Sequence, residues 1–224
     1  MKQLNPIPFF LRRMVMRLPF NPRERLYRAL YRTQESDKSV LVLDAACGHG
    51  GNALVTRFHN PKLVIVGFDI FPPYVHECRE MAVYDHLLIA DVRYPPFRDN
   101  SFVAAYFTGA IEHIEKIDAT KALNELERIS LRLIVTTPVG LYLRGEGEIT
   151  DGNICQNHIS GWIQSEFEKR GYLVWGIFPC FLSKLLVHPL DLMLLHFLPF
   201  SFVNLIPLPV DKSLSMAALK VQHE

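Results

Sequence analysis

Three carboxylates in this chain, Asp44, Asp69 and Asp91, each close a short apolar run: Val40 to Asp44, Leu63 to Asp69 and Leu87 to Asp91. The first is followed at once by a turn with glycines at 48, 50 and 51. Gly48 and Gly50 let the backbone turn tightly and approach a ligand, and a helix from about Asn52 to Phe58 would present free N–H groups at its start. Acids at the ends of successive strands, beside a glycine turn, suit a nucleotide-like ligand whose hydroxyls and amines need acceptors. The alternative is that these are solvated loop acids serving as helix caps.

Gly48-His49-Gly50-Gly51-Asn52-Ala53 also satisfies the dinucleotide pattern G-x-G-x-x-A, so a nicotinamide or flavin site is one reading. Asp44 argues for another. A pyrophosphate on the loop would be repelled by a nearby carboxylate, whereas S-adenosylmethionine brings a cationic sulfonium and ammonium with a single carboxylate. On that reading Asp44, Ala46, Gly48 and Gly50 face the cofactor from the loop. Asp69, about twenty residues after the glycines, accepts the ribose hydroxyls with Ile70 beside it. Asp91 accepts from the adenine amine while Val92 lies along the ring, and Thr108 passes under the methionine part.

The elements that must position these residues alternate. Periodicity predicts strands at Val40 to Asp44, Val64 to Asp69, Leu87 to Asp91, Phe102 to Thr108, Leu133 to Thr137, Leu173 to Phe178 and Leu214 to Val221. Besides the helix after the glycines, helices are predicted at Arg23 to Thr33, Pro72 to Ala82, Ala119 to Ser130 and Ser160 to Arg170. Such alternation implies an α/β fold with a doubly wound, mostly parallel sheet of seven strands.

The run from Asp91 through Val92-Arg93-Tyr94-Pro95-Pro96-Phe97 to Ser101-Phe102, with Glu112-His113 beyond it, resembles the class I S-adenosylmethionine-dependent methyltransferases, over about residues 38 to 178. The resemblance is to the branch with a glutamate-histidine pair after the fourth strand. It implies a Rossmann-like methyltransferase fold with an antiparallel last strand. Two departures stand out. Val103 replaces the aspartate that opens the family's fourth strand, and Ala45 and Ala46 occupy positions where the family often has leucine and glycine. The resemblance makes His113 a candidate general base or orienting group, with capping of the short helix after the strand as the plain alternative. His158 falls where family members often carry a histidine, and points to the substrate site or caps the helix from Ser160. Trp162 reads as a core anchor. Glu146, Glu148 and Asp151 lie on a glycine-broken loop without ligand geometry, so no metal is expected.

Composition fits a single methyltransferase domain over residues 35 to 224, preceded by a basic extension over 1 to 34. Of 224 residues, 49% are hydrophobic, enough for one full core. Residues 1 to 40 hold nine Lys or Arg against three Asp or Glu, although the whole chain carries a net charge of only +1. The four cysteines show no CxxC pair, which suits a reducing cytoplasm. Both ends are apolar in an unusual way. Ile7 to Phe20 interleaves large apolar residues with Arg12, Arg13 and Arg17, as in a basic amphipathic helix, and the stretch 178 to 210, an apolar helical insertion between strands 6 and 7, is interrupted by prolines. These segments predict a cytoplasmic protein that touches an anionic membrane surface at the cytoplasmic face and methylates an apolar or lipid-linked acceptor. A soluble small molecule or glycan precursor is the alternative acceptor, with the apolar insertion then a lid or homodimer interface. A binding protein that keeps the fold without catalysis is the rival of another class. Nucleic acid is not expected, for want of a stacking platform.

Overall fold

The first strand shows how the sheet is built. In the computed structural model, which describes residues 40–140, 153–179, 210 and 213–222, Val42 and Leu43 are both fully buried yet belong to separate apolar clusters. Successive strand residues point to opposite faces, so burial of both means that both faces are covered. Leu43, Val66, Phe68 and Phe107 face one layer; Val42, Ile65, Ala104 and Ile134 face the other.

The elements in chain order are β1 (Leu41–Ala45), α1 (Gly51–His59), β2 (Val64–Asp69), α2 (Pro72–Glu80), β3 (His86–Ile89), β4 (Ala104–Thr108), α3 (Lys116–Ile129), β5 (Arg132–Pro138), α4 (Gln164–Glu168), β6 (Leu173–Pro179) and β7 (Ser213–Val221). Short 3₁₀ turns at Ile111–His113 and Ile154–Gln156 precede α3 and α4. Among the described residues the strands form one sheet in the order β3-β2-β1-β4-β5-β7-β6. Pairing is parallel from β3 to β5, while β7 runs antiparallel to both β5 and β6. All seven expected strands are present, and the last is antiparallel as the resemblance implied.

Helix α3 packs Ala119, Ala122, Leu123, Leu126 and Ile129 into the first layer, an i, i+3, i+4 stripe that predicts its buried face. Helix α1 covers the opposite face with Ala53 and Val55. The strand order reverses between β1 and β4, where neighbouring crossovers leave to opposite sides of the sheet. The crevice outside the carboxyl ends there is the place for a ligand.

Several boundaries moved, two of them near the ligand crevice. Strand β3 ends at Ile89, so Asp91 sits two residues past it. The helix expected from Ser160 starts at Gln164, because Trp162 is drawn into the core and bridges to Val139 and Gly140. The helix at 23–33, the amphipathic segment at 7–20, the loop carrying Glu146, Glu148 and Asp151, and residues 180–209 of the apolar insertion lie outside the described residues. Among the described residues no helix is long and apolar enough to cross a membrane.

Candidate active site

The glycine loop folds against β2. Gly50 N–H donates to the Cys47 carbonyl at 2.9 Å, closing the turn, and Gly48 and Gly50 take φ of 51° and 72°, in the left-handed region open to glycine. Ala46 sits there too, at φ 52°, where the family resemblance places a glycine. A residue with a Cβ in that region costs roughly 1–2 kcal/mol, and the loop tolerates it at the edge of the cavity.

Gly48 N–H donates to one oxygen of Asp69 and Phe71 N–H to the other, both at 2.9 Å. The carboxylate at the end of β2 is thereby aimed and locked to the loop. It is 6% exposed and lines the cavity. Burial raises its pKa against the opposing backbone donors.

Asp44 is placed differently from the expectation that it meets the cofactor. It is 1% exposed, lies behind the cavity wall, and accepts from Asn52 Nδ2 at 2.9 Å and from the Tyr84 hydroxyl at 2.7 Å. Asn52 Nδ2 also donates to Thr108 Oγ1 at 2.8 Å. The resulting chain, Tyr84–Asp44–Asn52–Thr108, ties β1, the start of α1 and β4 together just under the ligand space. Asn52 and Thr108 reach the cavity surface; Asp44 orients them. Gly50 likewise stands behind the lining, where an added Cβ would meet Cys78 Sγ at 3.1 Å.

Asp91 lines the cavity, and Arg93 takes it up. Arg93 Nε lies 3.0 Å from each carboxylate oxygen, a terminal nitrogen lies 2.6 Å from Oδ2, and the Arg93 N–H donates to Oδ1 at 2.9 Å. The other arm of the guanidinium holds Asp118 at 2.5 Å. Burial alone would raise the Asp91 pKa, but the Arg93 contacts outweigh it and hold the carboxyl below its ordinary value. Asp91 thus faces the cavity with part of its acceptor capacity already taken by a cation. Val92, 7% exposed, and Ile70, 48% exposed, line the cavity as expected of apolar contacts to a ring and a ribose.

Cys47 lines the same space as a neutral thiol, because its side-chain contact with Cys78 and then its burial push its pKa up, so a packing role is the one its surroundings support. The cavity, about 610 Å³, continues past Thr108, Gly109 and Ala110 at the end of β4 to His113 and Ile114, and is walled on the far side by Asn153, Gln156 and Ile159. That size suits a nucleoside-containing ligand with room beyond it. His113 reaches the cavity wall; His158, 9% exposed, stands behind it with its ring 4.8 Å from that of His113. His158 is not the cap of α4, which begins six residues later. Glu112 does hold the loop, through its carbonyl, which accepts from Ile159 N–H at 2.9 Å and Ser160 N–H at 3.0 Å.

Sequence reasoning missed Asn52, Tyr84 and Arg93. Asn52 follows the glycines directly and was legible as a polar residue at a helix start. Tyr84 carried no signal, since its role depends on Gly67, whose missing side chain makes room for the ring.

Residues 42–130, which carry the loop, all three acids and the turn with Glu112 and His113, match the family model described as a methyltransferase domain. That stretch of the chain is similar to the methyltransferase-domain family, in line with the resemblance seen in the sequence. It is 27% identical over 95 residues to an uncharacterized protein of Methanocaldococcus jannaschii, covering 42% of this chain and 38% of that one, so the chain spans well under half of the curated relative it matches. The fold is shared with a SAM dependent methyltransferase from Archaeoglobus fulgidus at TM-score 0.59 and 15% identity, over 96% of this chain and 100% of that one. It is shared also with the plantazolicin methyltransferase BpumL in complex with SAH, at TM-score 0.55 and 13% identity, over 96% and 85% of the two chains. The likeness of fold thus runs past the matched family segment, which stops after α3.

Proposed function

We propose that this chain transfers the methyl group of S-adenosylmethionine to an apolar or lipid-linked acceptor. The observation that carries the first half is Asp69. Its carboxylate is aimed into the cavity by two backbone N–H groups, so its remaining lone pairs are presented to the paired hydroxyls of a ribose. With the ribose there, the adenine lies toward Val92 and Asp91, and the methionine part runs under Thr108 and Gly109 beside Asn52.

The methyl group then faces the end of the cavity bounded by His113, Ile114 and Ile159. Transfer from a sulfonium has a good leaving group, so alignment and exclusion of water supply most of what the protein must add. Ile114, Ile159 and Ala110 give that end an apolar wall, with His113 among the polar side chains beside them. The apolar acceptor is supported by this wall and by the composition of residues 7–20 and 178–210. Calorimetry with S-adenosylmethionine tests the cofactor half, with binding expected at one site. Incubation with radiolabelled S-adenosylmethionine and membrane lipid extracts tests the acceptor half. Label in the organic phase is the expected outcome; label only in water-soluble extracts would replace the lipid reading with the small-molecule one, and binding without transfer would favour the non-catalytic binding protein.

A further inference from the structure

Two imidazoles and a carboxylate converge where the loop before α4 crosses the turn that follows β4. One potential ligand atom from each of Glu112, His113 and His158 lies within 4.8 Å of the other two. The two rings meet edge to face. Glu112 is 5% exposed and His158 9%, while His113 opens onto the cavity. Both strands of the crossing are tied together, by the two N–H groups on the Glu112 carbonyl and by Ser160 Oγ donating to the Ile111 carbonyl at 3.2 Å. Trp162 Nε1 in turn donates to Ser160 Oγ at 3.1 Å.

His113 Nδ1 lies 3.0 Å from the Asn157 carbonyl oxygen. A carbonyl only accepts, so Nδ1 carries the proton in that contact, and a backbone carbonyl that fixes the ring through one nitrogen is a usual companion of a metal-bound imidazole. We propose that Glu112, His113 and His158 bind a divalent transition-metal cation beside the cofactor cavity.

The donor set selects the class of ion. Two imidazole nitrogens and one carboxylate oxygen suit Zn²⁺, Mn²⁺, Fe²⁺ or Co²⁺, whereas Mg²⁺ and Ca²⁺ favour oxygen throughout. Metal–ligand bonds of about 2.0–2.2 Å in a tetrahedron set ligand atoms about 3.3 Å apart, so the ion draws these atoms inward by at most roughly 1.5 Å. Three protein ligands leave a coordination position for water. On this proposal His113 is a ligand, not a free base. The sequence alone pointed away from a metal because it weighed the acidic loop, and the histidine that completes the set is far from the first two in the chain.

Cation binding does not require the methyl donor, so the test is made without it. The full chain, stripped with EDTA, is titrated with ZnCl₂ by calorimetry and with CoCl₂ by visible absorption. One equivalent of Zn²⁺ is expected to bind and to raise the melting temperature, and Co²⁺ is expected to show the ligand-field bands of a nitrogen and oxygen site. His158→Ala and Glu112→Gln should each weaken binding by at least about 100-fold, since even second-sphere changes cost 10–100-fold. Cys155→Ser, which removes an exposed thiol outside the cluster, should leave it unchanged. Circular dichroism checks that each variant is folded, and His158→Gln, closer in volume, takes the decision if the alanine variant is not. Absence of stoichiometric binding, or binding that survives in folded His158 variants, overturns the proposal and leaves the three residues as a hydrogen-bonded structural cluster. Calorimetry with S-adenosylmethionine on the same preparations separates this outcome from failure of the cofactor reading.

Discussion

Replacing Asp69 by alanine removes an acceptor from the loop and, on the proposed function, from the cofactor as well, and the two losses can be measured separately. On the protein side, the Gly48 and Phe71 N–H groups lose their oxygens. Water entering the vacated space restores part of each bond, so the folding cost is about 2 kcal/mol, or roughly 4–8 °C in melting temperature for a domain of this size. Asp69→Asn retains one oxygen and should lose about half of that. On the ligand side, each ribose hydroxyl loses a bond to a charged acceptor at roughly 1.5–3 kcal/mol, and even one such loss weakens the S-adenosylmethionine affinity by about tenfold or more.

Calorimetry reads the affinity directly, and thermal unfolding with cofactor present supplies an independent value. At a ligand concentration about a hundred times Kd the wild-type protein gains about 2.7 kcal/mol, and a tenfold weaker variant at the same concentration gains only about 1.4 kcal/mol. The pH dependence adds a signature. Burial raises the Asp69 pKa above 3.8, so the stability linked to its protonation is present below the unfolded pKa and is lost as pH rises through the folded one, leaving the two backbone bonds as its contribution at neutral pH. Cofactor binding needs the charged form and should weaken, on acidification, at a higher pH than an ordinary aspartate would give. Unchanged affinity in a folded Asp69→Ala protein would remove Asp69 from the site and with it the placement of the ribose.

Gly67→Ala should destabilise by about 1–3 kcal/mol in chemical denaturation and weaken cofactor binding as well, because its Cβ would lie 2.5 Å from the Tyr84 ring and drive that hydroxyl off Asp44. Glu127 accepts from Arg170, Tyr172 and Lys220. Burial would raise its pKa, but these donors hold it below 4.5, so the stabilisation is present above the unfolded pKa and is lost as pH falls through the depressed value. Glu127→Gln should therefore cost about 2 kcal/mol at neutral pH and flatten the acid limb of the stability curve, read by urea melts across pH. Sedimentation with anionic vesicles should carry the protein down at low salt and release it at high salt or on deletion of residues 1–20, as three arginines at about 1 kcal/mol each imply; retention in the supernatant as a discrete dimer would refute the membrane reading.

What was legible in the sequence was whatever depends on neighbours in the chain. Alternating apolar runs marked every strand of the sheet, and the stripe from Ala119 to Ile129 marked the buried face of α3, because strand and helix periods are local properties. Asp69 was legible because its position after β2 and its distance from the glycines are both set along the chain. Asp44 was read as a ligand contact because its place at the strand tip was visible while Tyr84 and Asn52, which take up its carboxylate, were not. The partner of Asp91 was equally hidden, since Arg93 is only two residues on, yet nothing in the spacing says that its guanidinium folds back to bridge Asp91 and Asp118. The helix expected from Ser160 was delayed by a tertiary pull on Trp162, whose burial is stronger than the local propensity of the residues before it. That delay has a chemical consequence. The residues freed from the helix, Ser160 to Ile163, follow the loop that carries His158 to Glu112 and His113, and Ser160 N–H is bonded to the Glu112 carbonyl. Continuing α4 back to Ser160 would turn the Ser160 carbonyl into the helix ladder and break the bridges from Trp162 to Val139 and Gly140. Where α4 begins is therefore decided by a core tryptophan and not by a helix signal, and the loop that carries His158 ends on that anchor.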